Sequence, residues 1–243
     1  MSARALATSV APGYLQRASA LTDFSGSESI PVSDEIGFLL PWPGLRRGAT
    51  VSIAAQSTPG TTSLLLTLMA QVSRSGGWCA ITGNSAVSAV TAHQVGVSLS
   101  RLAFIEVCDR GWESVTGALL NGIDLVAVYV AGAVSQQVAR ALMAKARKRG
   151  NILVPFGPGA YRWPAADASW SVEKATWHGL RWGRGMLRHC ELQVRSCIHG
   201  RDRYGTVWPY GGSPGDGHFG AHMKQLASVT SLSDHKARTR RSR

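Results

Sequence analysis

The chain has 243 residues, enough for one sizeable core with a small appendage. Its hydrophobic content is 44% and no apolar run nears the roughly 20 residues of a membrane helix, which argues against a membrane-spanning protein. Lys and Arg (26) outnumber Asp and Glu (14), and the net charge of +12 points to polyanionic partners, either nucleic acid or an acidic protein surface.

The first residues, M-S-A-R-A-L-A-T-S-V-A-P-G, lack the apolar stretch of a secretory signal, so a cytoplasmic location is expected. Residues 1–35 form a Ser-rich segment of their own, with some helix at Gly13–Leu21. Leu39–Gly48 (L-L-P-W-P-G-L-R-R-G) is rich in turn residues. A regular alternation then begins. Strands are predicted at Thr50–Ala54, Trp78–Thr82, Leu102–Val107, Ile123–Val130 and Ile152–Phe156. Helices are predicted between them at Thr61–Ser75, Ser88–Val95, Trp112–Leu120 and Ser135–Arg149. Nearly continuous apolar strands alternating with helices predict an α/β fold, a parallel sheet covered by helices on both faces. This core is assigned to residues 36–200. Beyond Pro158 the pattern becomes antiparallel, with strands at Trp170–Thr176 and Leu187–Ile198. In the second, Cys190, Leu192, Val194 and Ser196 share one face. Residues 201–243 are assigned to a Gly-rich linker and a disordered basic tail.

The turn after the first strand reads A-Q-S-T-P-G-T-T over Ala55–Thr62. It has the place of a P-loop, G-x-x-x-x-G-K-[ST], whose backbone amides and helix N-terminus surround phosphate. Gly60 and Thr62 keep the pattern. Ala55 replaces the first Gly and Thr61 replaces the Lys. A lost charge-assisted bond to phosphate costs about 1.5–3 kcal/mol, so nucleotide binding should be weak and catalysis weaker.

Gly44–Ser63 (G-L-R-R-G-A-T-V-S-I-A-A-Q-S-T-P-G-T-T-S), R-S-G-G-W-C-A-I-T and Gly122–Val130 (G-I-D-L-V-A-V-Y-V) together resemble the RecA recombinase family. The resemblance implies a RecA-like core. It places the Walker B acid at Tyr129, the catalytic Glu near Gly83-Asn84-Ser85, and the phosphate-sensing Gln near Gly157-Pro158. Four functional positions are thus lost together, and no catalytic residue, nucleotide cofactor or metal is expected. L-L-P-W-P-G-L-R-R-G-A-T-V, G-T-T-S-L-L-L, G-G-W-C-A-I and N-I-L-V-P-F-G are similar to the actinobacterial ImuA-type (ImuA′) branch over about residues 35–200. That likeness implies an accessory role in SOS-induced mutagenesis and translesion synthesis. The implied partners are an inactive Y-family polymerase homologue (ImuB type) and, through it, an error-prone C-family DNA polymerase. A nucleoid-associated place in the cytoplasm would follow. Two other readings stay open: a DNA-dependent RecA-type ATPase, and a general basic DNA-binding protein.

Three groups of residues are candidates for binding DNA or a partner. Arg147, Lys148 and Arg149 close an acid-free helix, either as a solvated face that suits the helix dipole or as a contact for a polyanion. Trp177, Arg181, Trp182 and Arg184 interleave aromatic and Arg side chains, as in strand binders and protein hot spots, or simply pack the β extension. Lys236, Arg238, Arg240, Arg241 and Arg243 form a dense tail that attracts phosphate or only solubilises. Cys79 and Cys108 read as buried thiols. The gap between Cys190 and Cys197 does not match zinc-ligand spacing, so no metal is assigned to His189, Cys190, Cys197 and His199.

Overall fold

The structure is a computed structural model describing residues 29–55, 58–83, 87–107, 111–181 and 184–211, with backbone alone within 179–188. In chain order its elements are β1 (Ser29–Ile30), α1 (Asp34–Gly37), β2 (Leu45–Arg46), β3 (Val51–Ala54), α2 (Thr61–Arg74), β4 (Cys79–Thr82), α3 (Ala89–Val95), β5 (Leu102–Ile105), α4 (Trp112–Leu119), β6 (Leu125–Tyr129), α5 (Gln136–Arg149), β7 (Ile152–Gly157), β8 (Ala168–Arg181), β9 (Arg184–Ile198) and β10 (Arg201–Val207). Each predicted strand and helix of the alternation is present. The expected helix at Gly13–Leu21 lies outside the described residues, as do Cys108, Trp182 and the five tail cations.

Eight strands form one sheet in the order β10-β9-β8-β3-β7-β6-β4-β5, and β1 and β2 pair as a small antiparallel ribbon. Within the large sheet only β9 runs against the others. From β3 the chain crosses to β4 and then to the edge at β5. It returns through β6 and β7 and passes β3 to reach β8. Crossovers between parallel strands are right-handed, so outward and returning connections take opposite faces. The two apolar clusters divide in that way. Leu64, Leu65, Leu68 and Val72 of α2 join Ala92 and Val95 of α3 on one face. Leu142, Met143 and Ala146 of α5 join Leu120 and Trp163 on the other.

Helix ends follow the local sequence. Ser88 and Ser135 cap α3 and α5 by accepting the amides of Val90 and Val138. After α2, α3 and α5 the amides of Gly77, Val97 and Asn151 reach back to the carbonyls of Val72, Ala92 and Ala146 at 3.0, 2.9 and 3.0 Å.

The antiparallel part departs from the predicted appendage in two ways. First, β8 lies parallel to β3 with Ile53 opposite Trp170, so the β extension continues the main sheet. Second, Arg201–Val207 is a strand paired along its length with β9, although the sequence reading starts a linker at 201. Its charged R-D-R-Y gives no apolar signal, because an edge strand needs only one covered face. The face alternation read from Leu187–Ile198 is present: Cys190, Leu192, Val194 and Ser196 are buried. The segment before β3 covers that face. The carbonyl of Leu39 accepts the Trp170 indole N–H at 3.0 Å and the Ser196 hydroxyl at 2.7 Å, while Arg203 donates to the Leu40 carbonyl at 3.0 Å.

Candidate functional site

The returning path makes the carboxyl end of β3 a topological switch point, the place where open α/β sheets hold ligands. The Ala55–Thr62 turn leaves β3 there, and the Ala55 amide donates to the Gly157 carbonyl of β7 at 3.0 Å. Gly60 caps α2 with φ +119°, a left-handed conformation that a side chain resists. The side on which a Cβ would stand is filled. A Cβ at Gly60 would stand 2.7 Å from Cδ2 of Leu192 and 3.4 Å from Cγ1 of Val172, so side chains of β9 and β8 press on the turn. Ser63, in the first turn of α2, has its hydroxyl 3.5 Å from that of Tyr210, whose ring lies 5.6 Å from Trp177.

The adjoining side is filled by Tyr129 at the end of β6. Its ring meets Phe156 edge-on at 5.5 Å. A Cβ at Gly83 would come within 2.8 Å of Cβ of Tyr129, and one at Gly157 within 2.9 Å of its ring. Gly157 has φ +109°, so its lack of a side chain serves both the backbone and the tyrosine. The position that the family resemblance gives to a Walker B acid carries a packed aromatic. Asp124 is no substitute, because five strand residues place it about 16 Å from Tyr129, at the opposite end of β6. Thr61 and Thr62 are half-buried and carry no charge.

The amino end of the sheet is where charges gather. Asp124 is 3% exposed. It accepts the Trp78 amide at 2.8 Å and pairs with Arg47 at 3.6 Å. Asp167 accepts the Thr50 amide at 2.8 Å and pairs with Arg147 at 3.5 Å. The Gly44–Ala49 turn and the end of α5 are in contact: a Cβ at Gly48 would lie 3.0 Å from Cα of Arg147, and one at Gly150 3.9 Å from Cβ of Arg47. Arg46 lies over the Trp42 ring at 5.7 Å. Arg147, Lys148 and Arg149 are exposed.

The aromatic-Arg stretch is not brought into one described site. Trp177 is 43% exposed, and only the backbone is described at Arg181 and Arg184. His178 Nε2 lies 3.5 Å from a Glu191 carboxylate oxygen, and its ring sits 6.0 Å from that of Trp208. Trp163 and Trp170 are core residues. Cys79 and Cys190 are buried, and burial pushes the Cys190 thiol up to about 11, which keeps it unreactive near neutrality. Among the described residues no group of three or more His, Cys, Asp or Glu is placed to hold a metal, and no helix is long and apolar enough to cross a membrane.

Sequence reasoning missed Leu192, Val172 and Tyr210 as fillers of the turn. It also placed Tyr210 in a linker too Gly-rich to pack, whereas its ring packs on the core. The alternation in β9 marks Leu192 as buried but carries no signal of what it faces. It also missed the Asp124–Arg47 and Asp167–Arg147 pairs.

Residues 38–165 match the family described as the MT3502 N-terminal domain. The chain belongs to that family. The match spans β3 to β7 and both ends of the parallel sheet, and stops before β8. The chain is also 38% identical over 96 residues to the uncharacterized protein Rv3395c of Mycobacterium tuberculosis. That similarity covers 39% of this chain and 47% of the relative, so the chain spans about half the length of the curated relative it matches.

Proposed function

We propose that the chain is a non-catalytic RecA-like adaptor in SOS-induced mutagenesis. It supports error-prone translesion synthesis by contacting an inactive Y-family polymerase homologue of the ImuB type and, through it, an error-prone C-family DNA polymerase. The observation that carries the non-catalytic part is the filled switch point. Leu192 and Val172 press on Gly60, Tyr210 meets Ser63, and Tyr129 packs where an acid would hold Mg²⁺. A phosphate would have to displace packed side chains to reach the α2 amides, with no lysine to offset the cost. The sheet order, with the switch point after β3, supports the RecA-like reading, and the mycobacterial relative fits its actinobacterial branch. The polymerase partners and the nucleoid-associated cytoplasmic location come from the family resemblance.

The test is a pull-down from DNA-damaged cells with the full chain as bait. Recovery of the Y-family homologue, resistant to nuclease, is the expected result. Recovery of DNA alone, lost on nuclease treatment, would replace the adaptor with a general DNA-binding protein.

A further inference from the structure

We infer that the amino end of the sheet is a binding surface for the phosphate backbone of duplex DNA. Two segments about a hundred residues apart meet there and bring Arg46, Arg47, Arg147, Lys148 and Arg149 onto one rim. The two nearby acids do not balance that rim outwardly. Asp124 and Asp167 are 3% and 18% exposed, and each carboxylate is turned in to accept a backbone amide and hold one Arg. Arg46, Lys148 and Arg149 stay exposed, and none of them is ion-paired among the described residues. Three cations in one helical turn exceed what the α5 dipole rewards, about 0.3–1 kcal/mol near the terminus, and they repel one another.

The chemistry of the rim selects the partner. Protein hot spots centre on aromatic and Arg anchors in packed, desolvated pockets, yet none of the exposed large hydrophobic side chains belongs to the Gly44–Ala49 turn or to α5, and the rim cations there stand exposed. Single strands are held by base stacking, and the two tryptophans beside the rim, Trp42 and Trp78, already carry Arg46 and Arg101. What is left is an array of exposed cations on a fixed backbone, the feature that binds a regular phosphate backbone without reading bases. The inference stands apart from the adaptor reading, since it needs only these charges.

The test measures affinity of the full chain for a short labelled duplex as salt is raised. Arg46→Gln, Lys148→Gln and Arg149→Gln are combined, leaving Arg47 and Arg147 to hold their acids. A control combines Arg162→Gln, Lys174→Gln and Arg201→Gln, which removes the same charge from exposed sites elsewhere. The rim variant should flatten the slope of log affinity against log salt by about 2–3, at roughly 0.9 per phosphate contact, with an unchanged melting temperature. The control should keep its slope. An unchanged rim variant would assign binding to the tail, and equal losses in both would reduce it to net charge. Either outcome, or tighter binding to a single strand than to the duplex, overturns the proposal.

Discussion

The two ends of one parallel sheet have been put to opposite uses. At the carboxyl end, where such sheets hold phosphate, packed side chains occupy the space: Leu192, Val172, Tyr129 and Tyr210. At the amino end, where such sheets hold nothing in particular, two inward-turned acids hold Arg47 and Arg147 beside the exposed cations Arg46, Lys148 and Arg149. The contrast teaches that a strand-to-helix turn at a switch point can be packed from the side, because β3 must be connected to α2 whether or not a ligand is held.

The comparison is broken most severely at Leu192. Leu192→Ala should cost about 3–4 kcal/mol in urea unfolding, as for other fully buried leucines. Gly60→Ala should cost about 3 kcal/mol, from strain at positive φ and from the clash with Leu192. The double variant should cost less than the sum by about 1–2 kcal/mol, and strict additivity would mean the two do not press on each other. At the other end, Asp124→Ala should cost about 3 kcal/mol, since it strands the Trp78 amide and the half-buried Arg47. Thr61→Lys restores the missing charge to the turn. It should lower stability by about 0.5–1 kcal/mol, through a cation at a helix N-terminus, and gain no ATP affinity because the space stays filled. The smallest effect is expected at the exposed Arg195–Asp202 pair, a hydrogen bond of 2.8 Å on the open sheet face. That bond holds the Asp202 carboxyl below its usual range. Its contribution is present above the ordinary carboxylate pKa of about 4 and fades as pH falls below it. Asp202→Asn should therefore make acid unfolding slightly less steep and leave stability at neutral pH almost unchanged.

Much of the fold was legible because periodicity is local. The apolar runs at 51–54, 125–129 and 152–157 and the capped helices between them announce themselves within windows of a dozen residues. Ala55, Thr61 and Tyr129 are likewise visible in the sequence as departures from a phosphate-binding pattern. Strand β10 was not legible, because its one covered face shows only Gly205 and Val207 among charges. The fillers of the switch point were not legible either, since Leu192 meets Gly60 across 132 residues of sequence. The cationic rim depends on the same kind of distance: R-R at 46–47 and R-K-R at 147–149 read as two unrelated runs until the returning path of β6, α5 and β7 brings them together.

The most direct test of the filled carboxyl end is a calorimetric titration of the full chain with ATP and Mg²⁺. The account predicts no saturable binding below the millimolar range. A micromolar Kd would show that Leu192 and Tyr210 yield to nucleotide, and it would contradict the claim that side chains close this turn to phosphate.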